Sequence, residues 1–241
     1  VLLAAAGPAA ADTPAFDRPG IAFSPSVLPP GGFSVELGVP EFVHSTDGTD
    51  TTVYTFDTNL RAGLAHNIEL QLATPLYNYQ QMREGDFSSH VTGIGDSALS
   101  VKVALPSAMP RFSWAALAGV TFPTGAAPFT NGHAQYRLAT ASGYQFDDTW
   151  TAGFYVNLNY ASSRLAYRLS PNLDFALGGH LSGYLEAAYD HAPDTPDASI
   201  AGGGLAWMVA SAIQLDASTD FGVSRHAPRV QGGLGISFYF N

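Results

Sequence analysis

The chain has no cysteine, so disulfides, thiolate chemistry and cysteine-based zinc sites are excluded. It has little charge: only 12% of its 241 residues are Asp, Glu, Lys or Arg, about half the usual share. Positive charge is scarcest, with 10 Lys and Arg against 20 Asp and Glu and a net charge of −10. That balance lacks the basic footprint that nucleic acid requires. Long apolar runs are also missing. Hydrophobic residues make up 46% of the chain, yet none of their runs approaches the ~20 residues of a membrane helix. The apolar content is therefore spread by alternation.

The final stretch shows the alternation most plainly. Val230, Leu234, Ile236, Phe238 and Phe240 share one parity, whereas Gln231, Gly233, Gly235, Ser237 and Tyr239 share the other. Side chains alternate faces along a strand, so one face is apolar and the other small or polar. A tilted strand of about this length crosses a bilayer. The same pattern recurs from Phe33 onward. For example, Leu60, Ala62 and Leu64 oppose Asn59, Arg61 and Gly63, and Phe154, Val156 and Leu158 oppose Tyr155, Asn157 and Asn159. It predicts an all-β fold: a transmembrane antiparallel up-and-down barrel of about 12 strands. Tight turns are expected near 65, 108, 147, 171 and 211, at Ser170-Pro171-Asn172 among them. Longer loops are expected near 47, 86, 128, 193 and 226, the second of them a polar loop over 80–92. The short link near 162 breaks that rule. Short periplasmic turns and longer outer loops are the expected asymmetry of an outer-membrane barrel. Aromatics of the apolar parity gather at strand ends, as with Trp150, Trp207 and Phe240 at one rim and Tyr54, Tyr136 and Phe221 at the other. Membrane interfaces favour such rings.

The polar parity carries Glu36, Asp57, Arg61, Glu69, Lys102, Arg137, Arg164, Arg168, Asp174, Glu186, Asp216 and Asp220. Each Arg or Lys turned to lipid near the midplane would cost about 2–4 kcal/mol, so this face is predicted to point inward. These residues, with His180, are the candidate lumen or ligand residues. Paired, they leave a constricted polar path; free, they hold a solute. Residues 33–241 form the predicted barrel. Residues 1–11 read as the remnant of a secretory signal peptide, a short apolar run before Ala9-Ala10-Ala11. Residues 12–32 carry five prolines and are predicted to be extended, either as a periplasmic segment or inside the lumen.

The order of Asp17-Arg18-Pro19-Gly20, Val27-Leu28-Pro29-Pro30-Gly31, Gly93-Ile94-Gly95-Asp96, Pro123-Thr124-Gly125 and the aromatic end resembles the outer-membrane "transporter" family labelled "putative MetA-pathway of phenol degradation". The resemblance spans nearly all of 12–241. It implies passage of small molecules, aromatic or hydrophobic ones among them, and it carries over no catalytic residue.

The functional expectation is passive passage through a narrow, mixed-charge lumen. The alternative is a sealed structural barrel that works through its outer loops. An envelope hydrolase would need His180 and Ser182 to act together on the inward face. Neither a cofactor nor a metal is expected; His44, His90, His133, His191 and His226 read as loop decoration. The expected partners are outer-membrane lipid and lipopolysaccharide and a small-molecule solute, with no nucleic acid and a monomeric state. Gly202-Gly203-Gly204 lacks the Lys of a phosphate loop and reads as a place of twist or close packing.

Overall fold

A computed structural model describes residues 15–47 and 49–241; the expected signal remnant at 1–11 lies outside them. The described residues form strands and turns alone. They are β1 (Phe33–Ser45), β2 (Asp50–Ala65), β3 (Ile68–Glu84), β4 (Phe87–Gly93), β5 (Ser97–Leu105), β6 (Phe112–Phe122), β7 (Gln135–Gln145), β8 (Trp150–Ala161), β9 (Arg164–Gly178), β10 (Leu181–His191), β11 (Ala198–Ala210), β12 (Ile213–Gly222) and β13 (Val230–Phe240). All pairings are antiparallel, and β1 closes on β13 from Phe33↔Phe240 to His44↔Val230. Twelve strands make the closed wall. The thirteenth, β4, pairs only with the outer half of β3. The polar loop expected over 80–92 is therefore a hairpin that continues β3 and turns at Gly85, where φ is +58°. Its residues are polar on both faces, so it left no apolar period to read.

One proline misleads a reading by turn chemistry. The expected turn at Ser170-Pro171-Asn172 does not exist, because β9 runs straight through it. Pairing with β10 is kept at Asn172↔Glu186 and Leu169↔Tyr189 and lapses between them, so the amide that Pro171 lacks is not missed. The real turn falls at Gly178 and Gly179, whose φ values of +99° and +60° suit glycine. Pro40 sits in a register shift of β1, and Pro75 stands beside the extra residue Leu76 where β3 bulges against β2. Both strands therefore extend beyond their expected ends. The second bulge also turns Tyr77 outward against Phe56, at 6.0 Å between ring centroids, where strict alternation would aim it inward.

Elsewhere the parity holds. Leu72, Leu138, Leu185 and Leu234 stand exposed on the outside, while Ser34, Glu36, Arg61, Glu69, Lys102 and Ser237 are buried inside. This inverts the usual soluble arrangement, and it is the arrangement a lipid solvent selects. Aromatic pairs mark the end with the short turns: Phe33 with Phe240, Trp150 with Phe175, and Tyr144 with Phe146.

Candidate functional site in the barrel lumen

The site is the interior, and residues 15–32 occupy it. At the inner end the segment is stitched to β2: Gly31 N–H donates to Gly63 O and Gly63 N–H to Gly32 O, both at 2.9 Å. A Cβ on Gly63 would lie 2.0 Å from Pro29 O, so only glycine lets the two backbones meet there. Leu28 is 1% exposed, and its N–H donates to Glu69 Oε2 at 2.8 Å.

A charge cluster on β1, β2, β3 and β5 holds the next stretch. Arg61 donates to Glu36 at 2.5 Å, to both Glu69 oxygens at 2.8 Å and to Ala15 O at 2.8 Å. Lys102 Nζ lies 2.8 Å from Asp17 Oδ1 and 3.2 Å from Glu69 Oε1. Glu36 in turn accepts the N–H groups of Asp17 and Arg18 at 3.0 Å, and Gln71 donates to Asp17 Oδ2 at 2.7 Å. Arg61, Glu69 and Lys102 are wholly buried. Burial pushes the Asp17 carboxyl up, but Arg61 and Lys102 outweigh it, so Asp17 titrates below its ordinary range.

Beyond Asp17 the segment crosses the lumen. Arg18 reaches Glu41, Asp216 at 3.1 Å and Asp57 at 3.8 Å; its carbonyl accepts from Gln214 at 2.9 Å. Ile21 N–H donates to Glu186 Oε2 at 2.8 Å. Phe23 then turns to the opposite wall, where the inward residues of β6, β7 and β8 are small or apolar. It packs there among Ala115, Leu117, Ala139, Ala141 and Tyr155, with its ring edge-on to Tyr155 at 5.6 Å. The larger apolar cluster of this molecule thus lies within its polar lumen, and a smaller one of Ala188, Ile200 and Ala227 packs with Ile21 on the β10–β11 side.

The partition leaves space on both sides. A cavity of about 430 Å³ on the short-turn side is lined by Phe16 to Pro19, Asp148, Asn172 and Asp174. One of about 280 Å³ on the outer side is lined by Arg18 to Ile21, Glu41, Arg168, Glu186 and Asp220. Arg18 and Pro19 border both. A further outer cavity of about 340 Å³ adjoins Ile21, Arg137, Arg168 and Asp190.

Of the residues singled out from sequence, Glu36, Asp57, Arg61, Glu69, Lys102 and Asp216 therefore converge on the inserted segment. Arg137 is inward, bonded to Asn157 at 2.8 Å and Tyr155 at 2.6 Å. Arg168 is bonded to Asp190 at 2.6 and 3.0 Å. Asp174 accepts from Asn172 at 2.6 Å, and Asp220 from Gln231 at 3.1 Å. Two residues stand elsewhere. Arg164 is at the exposed outer end of β9, paired with Asp194. His180 lies in the exposed β9–β10 turn, because the glycine turn displaced the strand boundary, and it does not share the inward face with Ser182. Glu186, read from sequence as inward-facing, is inward and accepts from Ile21; sequence reasoning passed over Asp17, Arg18, Glu41, Gln71 and Phe23 as site residues. The unused signal was two ion-pairing residues in a proline-rich stretch otherwise poor in charge.

Two motifs distant in sequence also meet. Asp96 Oδ1 accepts Gly125 N–H at 2.9 Å, Asp96 Oδ2 accepts Asn131 N–H at 2.7 Å, and Ile94 O accepts Ala126 N–H at 3.0 Å. Slight burial raises the Asp96 carboxyl, and the Asn131 and Gly125 amides outweigh it, so it titrates low. Gly-Ile-Gly-Asp and Pro-Thr-Gly thus clamp the β6–β7 loop to the start of β5.

The fold is shared with solved outer-membrane proteins. The COG4313 outer membrane channel from Pseudomonas putida F1 superposes with a TM-score of 0.68 at 14% identity, over 92% of this chain and 99% of that one. The KdgM porin gives 0.59 at 10% identity, over 86% and 99%, and the NanC porin 0.59 at 10%, over 86% and 98%. Comparison with curated proteins gives no match. The family described as "Putative MetA-pathway of phenol degradation" matches residues 16–240. The lipid-facing apolar exterior, the closed twelve-stranded wall and that match lead to one statement: the chain belongs to this family and is a β-barrel of the bacterial outer membrane.

Proposed function

We propose that the protein is a passive channel for small solutes, with residues 15–32 as an inserted plug that narrows the lumen. The observation that carries the reading is the pair of cavities divided by a single strand of backbone at Arg18-Pro19. A sealed structural barrel has no need of open space on both sides of a thin partition. The partition is held by side chains rather than by the wall ladder, so it can leave while the wall stays closed. The structural likeness to channels and porins supports the same reading at the level of fold. The family description adds aromatic solutes, and the apolar patch at Leu117, Ala139 and Tyr155 is the surface a ring would meet. Selection would then come from size and from the charges that border the path.

The test is single-channel recording in planar bilayers, on the full chain and on a variant lacking residues 15–32. Conductance in the full chain, and a larger one in the deletion, is expected. Silence in both leaves the sealed barrel.

A further inference from the structure

We infer that the lumen selects for cations, and that Glu186 and Asp220 in the outer cavity set this preference. The inference rests on the channel reading above and names the charge class of the solute.

Glu186 on β10 and Asp220 on β12 flank β11 and face the same cavity of about 280 Å³. The glycines of β11 make this possible. A Cβ on Gly202 would lie 2.4 Å from Asp220 Oδ1, and one on Gly204 would lie 2.7 Å from the Tyr184 ring. Gly202 and Gly204, the two inward glycines of the run, thus clear a floor between two acids and a phenol. Neither acid has a cationic nitrogen within 4.0 Å among the described residues. Glu186 is held only by the Ile21 amide, and Asp220 only by Gln231 through Oδ2. Asp220 Oδ1 and the Tyr184 hydroxyl take no hydrogen bond from the protein, although Asp220 is 4% and Tyr184 7% exposed. Buried polar atoms left in this way call for a partner from outside the chain.

The two arginines that line this cavity are already paired with other acids. Arg168, which lines the same cavity, is bonded twice to Asp190, and Arg18 is shared by Glu41 and Asp216. Arg137 borders the adjoining cavity and is bonded to neutral groups. On the other side of the partition Asp174 has Asn172 as its partner and no base. The path past Arg18 thus runs between uncompensated carboxylates at both ends. Low-dielectric walls focus such a field and raise the local concentration of the opposite charge by roughly 10- to 1,000-fold. Potassium, ammonium or a small amine fits the outer cavity; an acidic solute meets like charge there.

Reversal potentials in a potassium chloride gradient at pH 8 test this on the full chain. A potassium-to-chloride permeability ratio of roughly tenfold or more is expected. The isosteric double variant Glu186→Gln/Asp220→Asn should bring that ratio close to one. Asp86→Asn, in the β3–β4 turn, should leave it unchanged. A native ratio at or below one overturns the inference while the channel reading stands. A double variant as selective as the native protein overturns the assignment to these two residues. Absence of conductance, with and without residues 15–32, removes both the channel and its selectivity.

Discussion

Replacing Gly63 by alanine should lift residues 28–32 of the plug off β2 without touching a single charge. In the docked arrangement the new methyl would lie 2.0 Å from Pro29 O and 2.6 Å from Leu28 O, which are backbone atoms on the partner side. The wall cannot yield, because β2 is laddered to β1 on one side and β3 on the other. What residues 28–32 lose by lifting off β2 can be summed. Two backbone hydrogen bonds at Gly63 contribute about 0.5–1.5 kcal/mol each, and the Leu28 amide on the Glu69 carboxylate about 1.5–3 kcal/mol. Burial of the Leu28 side chain adds about 1.5–3 kcal/mol. Against this, freeing the backbone of residues 28–32 returns about 1–2 kcal/mol per residue, less at Pro29 and Pro30, whose φ is fixed in any state. The two sides cancel to within a few kcal/mol, so undocking costs less than the clash. Hydrogen–deuterium exchange should therefore leave the Leu28 and Gly31 amides protected in the native protein and exchanging in the variant, with a parallel rise in conductance. A variant as protected and as narrow as the native protein would refute the reasoning.

Three further outcomes are expected. Arg61→Met leaves Glu36 and Glu69 buried without their principal cation; a loss of about 3–5 kcal/mol is expected, read as a lower temperature for the heat-induced gel shift of the folded barrel. Because the Asp17 carboxyl is depressed in the folded state, its contribution is complete above the ordinary Asp value of about 3.9 and is lost as pH falls below it. The Asp17-dependent part of plug release should thus be absent from pH 7 to 5 and appear only in stronger acid, and Asp17→Asn should remove that step. Leu138→Arg, on the exposed outer face of β7, should cost about 2–4 kcal/mol in bilayer refolding; an unchanged folding free energy would mean that this face does not meet hydrocarbon.

Much of the wall was legible because its physics is periodic. Leu234 faces out and Ser237 in for a reason that two parities on paper already state. Where the period is interrupted, composition gave the wrong punctuation. Pro171 reads as a turn and is a tolerated gap in a ladder, whereas Gly178-Gly179 is the turn and has no proline to announce it. That error carried His180 from a turn onto an inward face. The charged lumen was legible as a set, but its pairing was not. Arg61 meets Glu36 and Glu69 because register aligns β1, β2 and β3, and it meets Asp17 because a segment with no periodicity folds back inside. Long-range contacts of an irregular strand leave no local trace, so the plug's own residues escaped notice even where their motif had been seen.

The plug enters through the end where β1 begins, and no backbone hydrogen bond of the seam between β1 and β13 runs through it. Wall closure and seating of the insert are therefore topologically separate acts. The cylinder can be zipped shut around solvent, and the insert can arrive or withdraw afterwards like a cork drawn from a finished bottle.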